Sequence, residues 1–554
     1  MSRLSKFATK ETVATTETYG TAVTNFMGGN SFQLGALQTL KIIAASSIFA
    51  EPQYYRDGLE TAKKISNLES IRRFSDGMFV HLYDDSTTAV DVFTKAVDLA
   101  LSTDFKATLD LALELRTEYY MRLNPAVIYV RAVEHSNRVS FNEANPGYMK
   151  KIGKSLALRP DDLTNQFDYY MFLKSSKKGL PSILKRTWAE RLEEYSRYQL
   201  NKYKGKSLID LVRLSHANND DINELMKTGT LKVSETEQTW ETLKSAGKTW
   251  TEILNTIKIP HMALLRNLRG IFTEVQDREL AKTVLAQLKG GVEKGMQFPY
   301  RYWSAYKATE KEDIHNKQLV LDTIEECIDL SIKAMPKLDG RVMNLCDNSG
   351  SARGAVTSEY GSVNVYEIAN LSALITAAQS DEGYVGVFGD KLSVMEVSKR
   401  NGILSQLKEA NKIGEKVGQS TENGIWLFWD KAIKNKEIWD TVFIYSDMQA
   451  GTGQLYGTAE CAIQYKDFVF QGKGYSNKYI DVFALVKKYR SEVNPKVNVF
   501  SVQVAGYDNN ILPASLYRGA ILTGWTGRET LYAKAIIDTW NEVEKVKNGN
   551  SKNS

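Results

Sequence analysis

At 554 residues the chain exceeds what one hydrophobic core holds, so at least two domains are expected. A composition of 43% hydrophobic and 25% charged residues with 10 prolines excludes collagen, a coiled coil along the whole length and global disorder. The net charge of +5 leaves acidic partners open without demanding one.

Residues 1–25 are Thr-rich with few large apolar side chains, and a flexible N-terminal segment is expected there. The opening MSRLSKFATKETVATTETYG has no apolar core of the signal-peptide kind. The longest apolar stretches, such as Leu40 to Ala50, are far short of a membrane span. Cys327, Cys346 and Cys461 are widely separated and form no CxxC pair, which suits a reduced compartment. A cytoplasmic protein without a membrane partner is the expectation.

From 26 to 338 the pattern is helical. AVDVFTKAVDLALS, ATLDLALELRTEYYMRL and SLIDLVRLSHA repeat apolar residues at three- and four-residue spacing, with EANPGY and HANNDD as breaks. No exact repeat is visible. A long run of amphipathic helices without strands favours pairs stacked as an irregular α-solenoid over a compact bundle.

After Leu338 the pattern changes. RVMNLCD, GYVGVFGD, DTVFIYSD, VNVFSVQVAG and GAILTGW are β-branched or aromatic runs, and helical segments alternate with them. That alternation predicts a doubly wound, mostly parallel α/β domain over 341–546, followed by a flexible tail at 547–554. The boundary near Lys337 to Gly340 follows a proline and contains a glycine, as a linker would.

The first strand of this domain ends in Asp347-Asn348-Ser349-Gly350-Ser351, a DxSxS pattern. Ligands of open α/β sheets bind beyond the carboxyl ends of the strands, where these oxygens fall. One carboxylate and two hydroxyls are hard donors suited to Mg²⁺, with Mn²⁺ or Ca²⁺ as alternatives. Alone, the pattern reads equally as a capped helix start. Asp447, at the end of DTVFIYSD, and Thr421, in the loop GQSTENG, extend it. With them, the segment resembles a von Willebrand A domain, whose metal site (the metal-ion-dependent adhesion site, MIDAS) uses DxSxS, then Thr, then Asp. The resemblance implies Asp347, Ser349, Ser351, Thr421 and Asp447 as ligands, and an open position for an acidic group of a partner protein.

Enzymatic chemistry finds little support. Asp390 and Glu422 are nearby acids that read as solvated loop residues, and the five histidines are scattered. Gly205-Lys206-Ser207 and Gly247-Lys248-Thr249 end like a phosphate loop, but Leu200 and Thr242 replace its first glycine. A non-catalytic protein is expected.

Charge is concentrated between Lys150 and Lys206, with 14 Lys/Arg against 6 Asp/Glu. Interleaved with Tyr195, Tyr198 and Tyr203, this suits a phosphate backbone and stacked bases as well as it suits a solvated helix face. DLVRLSHA (210–217) and MALLRNLRGIF (262–272) resemble the helical TROVE module shared by the Ro autoantigen with telomerase- and vault-associated proteins. LKSSKKG and FPYRYWSAYK fall in family order, and the earlier SSIFAEPQYYRDGLETA loosely resembles the family's N-terminal region. The chain is thus similar to a Ro-like protein of bacterial or phage type: a closed ring of HEAT-like repeats followed by a von Willebrand A domain.

That resemblance implies a monomeric ribonucleoprotein in RNA quality control. Small structured Y-like RNA would lie on a basic outer surface, with single-stranded ends of misfolded or decaying RNA in the ring. An exoribonuclease or another protein is the partner implied for the metal site. His216 matches the family's LSH histidine. Lys174, Lys177, Lys178, Lys185 and Arg186 form the neighbouring basic region, and Arg116, Arg122 and Arg269 are further RNA-facing candidates. Arg131 is placed with Arg116 and Arg122 near the hole, and Arg266 reads as a structural ion-pair residue. Tyr302, Trp303 and Tyr306 read as core rather than a stacking platform. The alternative from another class is a metal-dependent protein–protein scaffold.

Overall fold

The computed structural model describes residues 22–24, 30–46, 89–174, 179–232, 239–295, 297–333, 335–354, 364–418, 422–446, 448, 469–470, 479–504, 509–513, 516–523 and 529–550. They fall into two compact units. One is drawn from 35–238, the other chiefly from 1–34, 239–357 and 362–554.

The first unit is helical: α1 (Ala36–Ser46), α2 (Ala89–Thr103), α3 (Phe105–Thr117), α4 (Leu123–Glu134), α5 (Arg138–Ala144), α6 (Tyr148–Leu156), α7 (Pro160–Lys174), α8 (Ser182–Glu193), α9 (Arg197–Lys202), α10 (Lys206–Ser215) and α11 (Asp220–Thr228). Their starts are written in the sequence. Asp104 accepts the Ala107 N–H at 2.9 Å, and Asn219 accepts the Ile222 N–H at 2.8 Å. Gly229, at φ 72°, ends α11 in the left-handed conformation that glycine adopts without a Cβ clash. Packing runs in two series: α3 against α6 and α6 against α8, then α4 against α7 and α7 against α10. Adjacent helix pairs stacked this way are a solenoid, as the periodicity predicts. The core between them holds Leu109, Leu115, Ile128, Ile152, Leu163, Trp188 and Leu211, all buried.

The second unit opens with β1 (Ala22–Thr24) and β2 (Asn30–Gln33). It continues through α12 (Trp240–Ser245), α13 (Trp250–Thr256), α14 (His261–Glu274), α15 (Arg278–Gly290), α16 (Val292–Gly295), α17 (Pro299–Glu310) and α18 (Lys317–Lys333). Then come β3 (Leu338–Asp347), α19 (Gly350–Gly354), α20 (Val365–Ala378), β4 (Ser380–Phe388), β5 (Leu392–Glu396), α21 (Ile403–Gly414), α22 (Glu422–Lys434) and β6 (Thr441–Ser446). The unit ends with β7 (Val469–Phe470), β8 (Tyr479–Ile480), α23 (Val482–Glu492), β9 (Asn498–Gln503), β10 (Asn509–Asn510), β11 (Gly519–Thr523) and α24 (Glu529–Asn550).

Six strands form one sheet in the order β11-β9-β6-β3-β4-β5. All neighbours are parallel except β4 and the edge strand β5. Strands β6 and β9 and the last six residues of β3 are buried throughout, because helices cover both faces. The order reverses between β3 and β6, which leaves a crevice at their carboxyl ends. One side of the sheet carries an aromatic core of Trp426, Phe428, Trp429, Trp439 and Tyr489.

Helices α17 and α18 belong with this sheet. The Tyr300 hydroxyl donates to the Ile368 carbonyl at 3.1 Å, and Lys307 pairs with Glu367 at 2.6 Å. Compactness thus groups Trp240–Lys333 with the α/β domain, whereas the boundary read from sequence falls at 338–341; the two divide the chain by different criteria. Secondary structure is also described at the two ends. Residues 22–24 pair with β2, which also pairs with β10, and Phe32 meets Phe483 edge-on at 5.4 Å. Helix α24 runs to Asn550, through part of the expected frayed tail. Among the described residues no helix is long and apolar enough to cross a membrane.

Candidate functional site

Asp347 is the last residue of β3 and is fully buried. Its Oδ1 accepts the backbone N–H of Ser349 at 2.9 Å, and its Oδ2 accepts the Ser446 hydroxyl, from the end of β6, at 2.7 Å. Both of these donors are neutral, so they orient the carboxylate without cancelling its charge. Ser446 was not singled out by sequence reading. The signal was its place directly before Asp447 at a strand end. Its hydroxyl also accepts the Met448 N–H at 3.1 Å, and Met448 holds a left-handed φ of 64° although it is buried and not glycine. Backbone strain of this kind collects where a loop is shaped for binding.

Ser349 is fully buried beside Asp347. Ser351 lies in α19, with its side chain outside the described set; Thr421 and Asp447 are outside the described residues. Asp390 is half-buried rather than solvated. Its carboxylate fills the space beside Gly418, where an added Cβ would lie 2.0 Å from Oδ2, and Gly418 takes a φ of 91° that admits the contact. Glu422 begins α22, and its side chain is likewise outside the described set. A buried carboxylate and serine hydroxyl at the switch point of the sheet are a donor set that fits a hard divalent ion. Cys346, one residue before, has its thiol pushed well up by burial, so it stays protonated beside this site.

Among the described residues the basic candidates separate into side chains with an ion pair and side chains without one. Arg116 is buried in α3, where its Nη2 donates to Asp162 at 2.8 Å. Burial raises the Asp162 carboxyl above the usual range, and the Arg116 charge opposes that rise. This pair cements α3 to α7, a packing role the sequence reading did not give it. Arg122 bonds Asp161 at 2.5 Å yet keeps 45% of its side chain exposed. Lys174 pairs with Glu134, while Arg131 donates to Asp98 at 2.8 Å. These four residues, with His135, Ser136 and Leu173, line an open cleft of about 350 Å³. Lys177 and Lys178 are outside the described residues.

Lys185 and Arg186 behave differently. Both lie on α8, half-buried and exposed respectively, and no ion pair joins either to a described residue. Exposed Lys151 on the adjoining α6 and exposed Arg213 on the adjoining α10 are likewise without a described ion pair. Arg213 was not among the candidates read from the sequence, although it lies within the LVRLSH motif. Three residues later His216 is exposed and caps α10 at φ 61°, donating its N–H to the Val212 carbonyl at 3.0 Å. Glycine is the usual residue in that conformation, so a histidine there is held at a cost.

In the second unit Arg269 pairs with Glu312 at 3.0 Å, and no ion pair joins exposed Arg266 to a described residue. The ion-pair role expected of Arg266 thus falls to Arg269, one turn further along α14. Tyr302 and Trp303 are buried core, as their spacing implied, and Tyr306 is half-buried. His261, which opens α14, bonds the Tyr302 hydroxyl through Nε2 at 2.7 Å. Its ring fills the space left by Gly291 and Gly295, where an added Cβ would lie 2.5 Å and 2.4 Å from ring atoms. Burial lowers its pKa.

Residues 230–339, a span that includes α14, match the TROVE domain family. The fold is similar to that of the Ro (RSR) protein of Deinococcus radiodurans, with a TM-score of 0.54. The alignment covers 80% of this chain and 93% of that one at 13% identity, a likeness of fold. No curated protein matches the chain in sequence.

Proposed function

With a TROVE segment on a Ro-like fold as the premise, we propose that this protein binds RNA without altering it chemically. The observation that carries the reading is the set of cations without a described ion pair on three successively packed helices: Lys151 on α6, Lys185 and Arg186 on α8, and Arg213 on α10. Cations already paired to carboxylates must give up a partner before they meet a phosphate; these need not. A small structured RNA of the Y type is the partner proposed for this surface, with His216 at its margin. Single-stranded ends of misfolded or decaying RNA are proposed as a second class of ligand for the helical half, in RNA quality control. Recognition by phosphate and shape makes affinity fall steeply with salt and discriminate poorly between sequences.

A divalent ion, Mg²⁺ by its donor chemistry, is proposed for Asp347, Ser349, Ser351, Thr421 and Asp447. Bound there, it would supply an open coordination position for a carboxylate of a protein partner. Asp347 holds its orientation through Ser446 and the Ser349 amide.

Anisotropy titrations with a labelled hairpin RNA bearing a single-stranded 3′ tail test the RNA reading. The expected result is binding at 50–150 mM salt that weakens as salt rises, and a loss of roughly tenfold or more for Lys185→Glu/Arg186→Glu. Equal affinity of the double variant and the parent across that range would sink the assignment. Intact RNA after prolonged incubation with Mg²⁺ is expected; specific cleavage abolished by Asp347→Ala would replace it with an enzymatic reading.

A further inference from the structure

Asn348 lies between two of the proposed ligands and is itself fully buried. Its N–H donates to the Phe388 carbonyl at 2.8 Å. Its side-chain amide exchanges bonds with Asn370 on α20: Nδ2 donates to Asn370 Oδ1 at 2.7 Å, and Oδ1 accepts from Asn370 Nδ2 at 3.1 Å. Asn370 Nδ2 also donates to Asn411 Oδ1 on α21 at 2.8 Å. Arg353, from α19, closes the arrangement. Its Nε donates to the Asn348 carbonyl at 3.2 Å, and its Nη2 donates to Asn348 Oδ1 and the Asn411 carbonyl, each at 3.3 Å. The guanidinium lies over the Tyr366 ring, 4.4 Å from its centroid. Gly414, at the end of α21, leaves the room for this. An added Cβ there would lie 2.1 Å from Asn348 Oδ1 and 2.4 Å from Arg353 Nη2.

Two physical points give this network a meaning. Mg²⁺ demands near-ideal octahedral geometry, so the peptides that aim Asp347 and Ser349 must not turn. Bolting the residue between them to a strand and three helices supplies that rigidity. The second point is the sign of the charge. An arginine next to a cation-binding loop opposes the cation by Coulomb repulsion, so its presence there is a cost unless its hydrogen bonds return more than the charge removes. We propose that Arg353, Asn348 and Asn370, seated against Gly414, form a clamp that sets the geometry of the metal loop. Ion affinity is then decided by side chains that do not touch the ion. The clamp rests on the metal reading above.

The test is Mn²⁺ titration of the full-length chain, followed by electron paramagnetic resonance, for the parent, Asp347→Ala, Arg353→Gln and Gly414→Ala. Repulsion alone predicts that Arg353→Gln tightens Mn²⁺ binding; the clamp predicts the opposite. The expected result is a loss of about 10–100-fold for Arg353→Gln, the range seen when supporting groups of a metal site are removed. The bound-Mn²⁺ spectrum should broaden, while the melting temperature of the metal-free protein shifts little. Gly414→Ala, which keeps the charge and displaces the clamp sterically, is expected to follow it. That variant carries the test if Arg353→Gln does not fold. Affinity equal to or tighter than the parent in both variants overturns the clamp while leaving the metal site standing. Equal, weak Mn²⁺ uptake by the parent and Asp347→Ala overturns the metal reading and the clamp with it.

Discussion

The proposed metal loop and the basic helices solve the problem of holding charge in opposite ways. At the sheet switch point Asp347 is taken out of water, aimed by two neutral donors and backed by a buried amide network. On α8, Lys185 and Arg186 stay within reach of water, with no described ion pair to fix them. The first arrangement suits a small ion that needs fixed geometry. The second suits a long flexible polyanion that needs charge density and tolerates variation in position. Charge by itself did not distinguish them. Arg116 and Arg186 are the same residue type, 70 positions apart in a basic helical region, yet one is a buried strut and the other is exposed without a described ion pair.

Substitutions that exchange these roles give the sharpest tests, and the largest effect is expected at the strut. Arg116→Met strands the Asp162 carboxyl between α3 and α7, and removing one member of a buried pair costs about 3 kcal/mol or more. Urea unfolding reads this as a lower midpoint. Lys185→Met, lacking any described pair, should move that midpoint by less than about 0.5 kcal/mol. A similar loss from both would erase the distinction.

RNA affinity should rank the same residues in the reverse order. Lys185→Glu/Arg186→Glu is expected to weaken hairpin binding by roughly tenfold or more and lower the slope of log affinity against log salt by about 1–2. The melting temperature should barely change. If the slope is unaltered, these side chains do not meet phosphates.

A smaller effect lies in pH. Burial depresses the His261 pKa in the folded chain, whereas the unfolded chain titrates near the ordinary value of about 6.5. Below that value the unfolded state binds more protons than the native state, so stability is complete above about pH 6.5 and declines as pH falls through the folded pKa. Melting curves between pH 8 and pH 5 should show the decline, and His261→Gln should flatten it. A profile unchanged by the substitution would remove His261 as its source. Smallest of all is His216→Gly, which relieves the left-handed strain and should leave stability level or raise it by up to about 1 kcal/mol. RNA affinity is expected to fall only a few-fold, and a rise in affinity would show that the imidazole makes no favourable contact.

Sequence alone was enough for the alternation of strand and helix after Leu338, the helix periodicity before it and the DxSxS register, because each is a local pattern with a fixed period or spacing. Apolar residues at three- and four-residue spacing carried the helices, and the β-branched runs carried the sheet. What tertiary structure decided is which side chains meet. Ser446 and Asp347 are 99 residues apart, Arg116 and Asp162 46 apart, and Gly414 faces an amide 66 positions earlier. No local period encodes such pairings; they exist because parallel strands bring their carboxyl ends together and stacked helices bury what lies between them. The DxSxS motif was therefore legible as a string, whereas the serine that orients Asp347, the amide network around Asn348 and the separation of ion-paired cations from those without a described pair appeared only once the chain was folded.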